Sequence, residues 1–266
     1  MKYDIAFIGV GSMGGAVCAG ACRAFGADRV AAFVRKPERR PEIAEKYGCA
    51  VLDSAEEAVR EAHAVVLCMK PHQIRGALAP LAPVLAARSE PAVLVSIAAG
   101  VTIATLRECT APTQPTARVM PNLPALIGRG MMLWTPDGLT ADDESMIEAW
   151  LAACGEVRRI EERLMDAGAA TASCSPAFAA MFIEALADGG VLAGLSRADA
   201  VTLAAAALEG TAAMVLAGTA PSKIKDDVCS PGGSTIEGVL KLEQAGMRGA
   251  VTDALAASWR RSAKLG

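Results

Sequence analysis

Ile8-Gly9-Val10-Gly11-Ser12-Met13-Gly14 is a G-x-G-x-x-G fingerprint set between the apolar stretch 5–8 and the small-residue run 15–25. A strand, a glycine turn and a helix in that order bring backbone N–H groups to a dinucleotide pyrophosphate. In this reading Gly9 permits the tight turn, Gly11 lets the main chain approach the phosphates, and Gly14 lets the helix pack closely, with Ser12 and Met13 completing the cradle. The plainer alternative is a glycine turn between two core elements with no ligand. The flanking strand and helix argue against it.

The next apolar run, 30–34, ends about 20 residues past the first glycine, where an NAD-binding chain places an Asp or Glu on the adenosine ribose. Here the sequence from Phe33 reads F-V-R-K-P-E-R-R. Arg35 and Lys36, followed by Arg39 and Arg40, offer positive charge to a 2′-phosphate, and no carboxylate stands at the strand end. The expected cofactor is therefore NADP(H) in preference to NAD(H). The alternative is that the four cations only solvate a surface turn.

The 266 residues suffice for one large or two modest domains. With 53% hydrophobic but only 4% aromatic residues, the core must be built from Ala, Val, Leu, Ile and Met, which suits close-packed helices. A net charge of −3 and scattered cations give no basis for a nucleic-acid partner. The eight cysteines are dispersed, without a C-x-x-C pair, and read as small buried hydrophobes in a reducing, cytoplasmic compartment. No signal-peptide pattern opens the chain, and no apolar run reaches ~18 residues unbroken by charge, Gly or Pro, so no membrane span is expected. With His63 and His72 as the only histidines, a histidine metal centre or a Ser-His-Asp triad has almost no material, and no metal is expected.

Candidate strands at 4–8, 30–34, 64–69, 92–96, 117–120, 131–135 and 156–160 alternate with helical patterns, the signature of βαβ crossovers and a mostly parallel sheet. Thr140-Ala-Asp-Asp143 is a capping box opening a helix through Trp150. From about residue 162 the pattern changes to Ala-rich helices at 164–190, 197–217, 235–244 and 248–263, with a second capping signature at Ser196 and Asp199. The expected fold is α/β: a Rossmann-like, doubly wound, mostly parallel sheet over 1–161, then an all-α domain over 162–266. Segments such as 198–208 are apolar almost all round, which argues for burial against a second subunit.

The order of motifs resembles the pyrroline-5-carboxylate reductase family over essentially the full length. It is carried by I-G-V-G-S-M-G, M-K-P-H-Q at 69–73, S-I-A-A-G-V at 96–101, R-V-M-P-N at 118–122, F-I-E-A-L-A-D-G-G-V at 182–191, K-D-D-V-C-S-P-G-G-S-T at 225–235 and L-E-Q-A-G-M-R at 242–248. The resemblance implies NADPH-dependent hydride transfer to a cyclic imino acid, forming proline, in a homodimer or higher homo-oligomer. It also implies that Met69, Lys70, Pro71, Ala98, Ala99 and Gly100 line the cofactor and that Asn122 lies close to the nicotinamide. Read by themselves, Lys70 is equally an ordinary strand-end charge and Asn122 a turn residue.

Ser230-Pro231-Gly232-Gly233-Ser234-Thr235 leads into a helical pattern, and a glycine turn at a helix N-terminus presents free N–H groups and positive dipole to an anion such as a carboxylate. By resemblance, this loop holds the imino acid's carboxylate, and the Thr235 hydroxyl reaches the ring nitrogen. S-T-I-E at 234–237 also reads as a capping box, which would explain Ser234 without a ligand.

The match departs from the family pattern at 166–178, D-A-G-A-A-T-A-S-C-S-P-A-F, where the family commonly has D-x-x-T-A-L-S-G-S-G-P-A-Y. Ala169 replaces a threonine, Ser173 and Ser175 replace glycines, Cys174 a serine and Phe178 a tyrosine. Leu123 and Ala55 depart where Thr and Asn are usual. These changes leave two alternatives open: a reductase of another imine or keto acid on the same scaffold, or a non-catalytic NADP-binding protein.

Overall fold

The computed structural model describes residues 1–262, so Ala263 and the chain end fall outside the described residues. The chain divides into two compact units, residues 1–174 with the chain end from Ser258, and residues 175–257.

The first unit is built on strands β1 (Tyr3–Ile8), β2 (Val30–Phe33), β3 (Ala50–Val51), β4 (Ala62–Leu67), β5 (Val93–Ser96), β6 (Thr116–Met120), β7 (Gly130–Asp137) and β8 (Gly155–Arg159). Its helices are α1 (Ser12–Phe25), α2 (Arg40–Tyr47), α3 (Ala55–Glu61), α4 (Ile74–Leu78), α5 (Ala82–Ala86), α6 (Ile103–Glu108), α7 (Ala141–Ala152) and α8 (Met165–Ala169). The sheet order is β3-β2-β1-β4-β5-β6-β7-β8. All neighbours run parallel except β6 and β7. Seven of the eight strands fall on the candidate strands read from the sequence, whereas β3, only two residues long, shows no periodicity to read.

Both faces of the central strands β1, β2, β4 and β5 are buried, which is why these strands are almost continuously apolar rather than alternating, whereas the edge strand β8, Gly-Glu-Val-Arg-Arg, has no buried residue. Side chains still alternate between the faces. Ile5 and Phe7 join Trp134 and Trp150 in one core layer, under α1 and α7, while Ala6 and Ile8 join Leu67 and Leu94 in the other. Trp150 fixes α7 against α1 by donating its indole N–H to the Val17 carbonyl at 2.8 Å and meeting Phe7 edge to face.

The capping box expected at the start of α7 is present. The Asp143 N–H donates to Thr140 Oγ1 at 3.2 Å, and Asp143 Oδ2 accepts from the Thr140 N–H at 3.1 Å. Asp143 Oδ1 also lies 2.6 Å from His63 Nε2. Burial acts to raise the Asp143 carboxyl, but the Thr140 and His63 bonds outweigh it and hold the carboxyl below its usual range. A depressed folded-state value stabilises the protein above the unfolded value, near pH 3.9, and that stabilisation is lost as the pH falls through the lower folded value. Thr140→Ala should therefore cost about 1 kcal/mol of stability at pH 7, and the deficit should narrow below about pH 4 in chemical denaturation.

The second unit contains α9 (Ser175–Leu192), α10 (Arg197–Leu216), α11 (Pro221–Val228), α12 (Ser234–Gln244) and α13 (Met247–Ser262), whose last residues belong to the first unit. Helices α9 and α10 form a hairpin closed by Gly194 at φ +102° and capped by Ser196, whose Oγ accepts from the Asp199 N–H at 3.1 Å. Only Ala187, Ala200 and Ala204 are buried along the two helices, and large apolar side chains stand exposed, among them Leu192 at 90% and Leu216 at 73%.

Two helical stretches, 162–192 and 197–216, are long and apolar enough to cross a membrane by length and composition alone. Neither is an apolar run of the unbroken kind sought in the sequence: Pro176, Glu184 and Asp188 interrupt the first, and Glu209 and Gly210 the second.

Candidate active site

In an open sheet of this kind a ligand binds outside the carboxyl ends of the strands, where the chain order reverses. The reversal lies between β1 and β4, and there the fingerprint sits. Gly9 turns at φ +93° and its N–H donates to the Phe33 carbonyl at 2.8 Å, while the Cys68 N–H donates to the Ile8 carbonyl at 2.9 Å. A Cβ on Gly14 would lie 2.5 Å from the Gly9 carbonyl oxygen and 2.9 Å from Cys68 Cβ, so α1 can approach the strand ends only with glycine there. Burial pushes the Cys68 thiol up, which leaves it protonated beneath the turn.

Gly11 is the N-cap of α1, and a Cβ built on it meets nothing within 4 Å. No side chain caps the helix and no acidic residue occupies its first turn. An open cradle before an uncapped 14-residue helix is what a pyrophosphate requires of the protein. Ser12 is exposed, whereas Met13 is half-buried and packs against the core.

The other expected cofactor residues lie along the same sheet edge. Met69, Lys70 and Pro71 follow β4, with the Lys70 N–H held by Gln73 Oε1 at 3.2 Å. Ala98, Ala99 and Gly100 follow β5, and the Ala98 N–H is held by Ser96 Oγ at 3.2 Å. Beyond β2, Arg35 and Lys36 are exposed and make no ion pair among the described residues, whereas Arg40 is bound to Asp53 at 2.6 Å and Arg39 pairs with Glu42 at 3.5 Å. Of the four cations read as phosphate ligands, two are thus uncommitted.

Asn122 follows β6 and is buried. Its Oδ1 accepts from the Met131 N–H and its Nδ2 donates to the Ala172 carbonyl, both at 2.9 Å. Ser173 Oγ donates to the Pro121 carbonyl at 3.2 Å. These bonds tie the end of β6 to a π-helical turn, Ala170–Cys174. Ser173 and Ser175 have no positive φ, so the side chains that replace the family's glycines bring no backbone strain. Nearby, buried Arg118 pairs with Asp166 at 2.8 Å, and Glu162 Oε1 accepts from the Ile103 N–H at 2.7 Å. Arg118 and Asp166 both lie in quoted motifs, but nothing in their spacing announces that they meet.

The substrate loop lies in the second unit. Ser230–Gly233 is a turn closed by the Gly233 N–H donating to the Ser230 carbonyl at 3.0 Å, with Pro231 second and Gly232 third at φ +68°. Gly233 is the N-cap of α12, and a Cβ there would collide with Ser230 Oγ. The capping-box alternative for Ser234 therefore needs correction. Ser234 is the first helical residue, and no side chain caps α12, because the glycine turn already delivers the chain in cap geometry. The Ser234 and Thr235 hydroxyls are exposed, with no hydrogen bond among the described residues. The first N–H groups of α12 stay open to an anion.

The cysteine reading is revised too. Cys18 and Cys22 lie one turn apart on α1, and their sulfurs come within 4.8 Å of each other and of Cys49, which precedes β3. Sequence distance hid the meeting: the α1 face carrying Gly15, Cys18 and Cys22 packs on the segment from Tyr47 to Cys49.

A doubly wound sheet with an uncapped glycine cradle at its switch point defines a dinucleotide-binding fold, here followed in the chain by a helical unit. Comparison with known proteins is more specific. Residues 4–100 match the family "NADP oxidoreductase coenzyme F420-dependent", and residues 162–265 match "Pyrroline-5-carboxylate reductase dimerisation". The pyrroline-5-carboxylate reductase of Pisum sativum is 36% identical over 268 residues, covering 99% of this chain and 96% of that protein. That of Escherichia coli is 35% identical over 269 residues, covering 100% and 99%. The crystal structure of the Plasmodium falciparum pyrroline carboxylate reductase with NADP bound has a TM-score of 0.87 at 28% identity, covering 100% of this chain and 99% of that one. The chain belongs to the pyrroline-5-carboxylate reductase family.

Proposed function

We propose that this protein reduces 1-pyrroline-5-carboxylate to L-proline by hydride transfer from NADPH, the last step of proline biosynthesis. The observation that carries the reading is the uncapped α12 N-terminus behind the Ser230–Gly233 turn, with the free Thr235 hydroxyl on its first turn. That is a receptor for a small carboxylate with a polar atom beside it. When bound, NADPH supplies the hydride.

The chain's own residues bind and orient. Gly9, Gly11, Ser12, Met13 and Gly14 receive the pyrophosphate, Arg35 and Lys36 the 2′-phosphate, and Met69–Pro71, Ala98–Gly100 and Asn122 border the rest of the cofactor. The turn Ser230–Gly233 and the N–H groups of Ser234 and Thr235 hold the carboxylate, while the Thr235 hydroxyl orients the ring nitrogen. A protonated iminium is already electrophilic, so no side chain is assigned as general acid. Residues 1–161 serve the cofactor and 162–266 the substrate and the subunit interface.

The uncommitted cations decide between nucleotides. Arg35→Ala combined with Lys36→Ala should raise KM for NADPH about 10- to 100-fold, the value of one or two charge-assisted bonds, and leave KM for NADH nearly unchanged. Equal effects on both cofactors would remove the 2′-phosphate role.

The exposed apolar faces of α9 and α10 are assigned to a second copy of the chain in the cytoplasm rather than to a membrane, in line with the dimerisation family they match. Sedimentation of the detergent-free protein should show a dimer or larger assembly. A stable, active monomer would overturn this.

The experiment that tests the reading is the rate of NADPH oxidation with 1-pyrroline-5-carboxylate, run beside a six-membered cyclic imine. Turnover favouring the five-membered acid is expected. Tight NADPH binding with turnover only on the six-membered ring would assign the Ala169–Phe178 changes to another substrate.

A further inference from the structure

We propose that Cys18, Cys22 and Cys49 form a three-sulfur site that captures a trivalent thiophilic metalloid, with arsenite as its reactive form. The three sulfurs lie within 4.8 Å of one another, close enough to share one central atom. They are held there by structure rather than by chance exposure. Cys18 and Cys22 share a face of α1 one turn apart, and Cys49 is delivered by Gly48, which ends α2 at φ +68°.

The donor set selects the guest. All three ligands are soft sulfur, and no histidine or carboxylate joins the cluster among the described residues, which disfavours hard cations. A structural zinc site takes four protein ligands, and this group supplies three. Charge narrows the choice further, because Cys18 and Cys49 are buried and Cys22 only half-exposed. Three thiolates around a monovalent or divalent ion would leave net negative charge in the core, whereas three around a trivalent centre leave none. In the reaction three thiols and As(OH)3 give As(S–Cys)3 and three waters. Three As–O and three S–H bonds break, three As–S and three O–H bonds form, and no electron is transferred.

The cluster is reached from one side, since Cys18 and Cys49 are buried. Cys22, half-exposed, provides the entry.

The test uses the full-length reduced protein and stoichiometric arsenite. Native mass spectrometry should find one arsenic per chain with the loss of three hydrogens, and arsenic-edge X-ray absorption should find three sulfur neighbours. Cys22→Ser should weaken capture at least tenfold, whereas Cys109→Ser should bind like the parent protein. No arsenic on the folded protein, fewer than three sulfur neighbours, or parent-like affinity in Cys22→Ser would each overturn the proposal. The absorption measurement needs no variant, so a substitution that fails to fold leaves the question decidable.

Discussion

Gly14→Ala should lower NADPH affinity about 100-fold and also destabilise the protein. Its Cβ would stand 2.5 Å from a backbone oxygen and 2.9 Å from Cys68 Cβ, and no rotamer change can relieve a clash with main chain. Helix α1 must shift, at a cost of about 1–3 kcal/mol for over-packing. Its N–H groups then move off the pyrophosphate, and losing two charge-assisted bonds of about 1.5 kcal/mol each lowers affinity about 100-fold. Gly11→Ala separates the two effects. The structure leaves open space at its Cβ, so thermal stability should be kept while affinity falls, because the added methyl occupies the space reserved for the phosphates. Isothermal titration with NADPH and thermal melts of both variants check this. Parent-like affinity in Gly11→Ala would show that the cradle does not receive the pyrophosphate.

Thr235→Ala should reduce kcat/KM for the imino acid about 100-fold, roughly 2.7 kcal/mol, without changing NADPH affinity. The Thr235 hydroxyl has no hydrogen bond among the described residues, so its removal should leave the melting temperature unchanged. Thr235→Ser restores the hydroxyl and should recover most of the activity. Steady-state kinetics of the two variants with varied imino acid decide the matter, and equal activity in Thr235→Ala would remove the role given to its hydroxyl.

The sheet was legible because buried parallel strands are continuous apolar runs, and the two S/T-x-x-D boxes were legible because a cap is a local bond. Thr140 and Ser196 cap the helices expected of them. Ser234 looked like a cap by the same rule, but the turn at Gly232 and Gly233 places the cap one residue earlier, and motif letters do not carry that geometry. Helix α11 went unread because it is short and mostly polar, although Pro221 marks its first turn. The 164–190 pattern reads as one helix, but its register slips through the π turn at Ala170–Cys174. What stayed illegible is what tertiary contact creates: the Arg118–Asp166 pair, the doubly bonded Asn122 amide, and three cysteines meeting between α1 and the connection from α2 to β3.

Hydride transfer itself is best followed with NADPH carrying deuterium at the transferred position, 1-pyrroline-5-carboxylate as acceptor, and mass and NMR analysis of the product. The account predicts proline with one deuterium, on the ring carbon formerly double-bonded to nitrogen, formed one for one with oxidised cofactor. Cofactor oxidation without labelled proline, or no oxidation by a protein that binds NADPH, would contradict it.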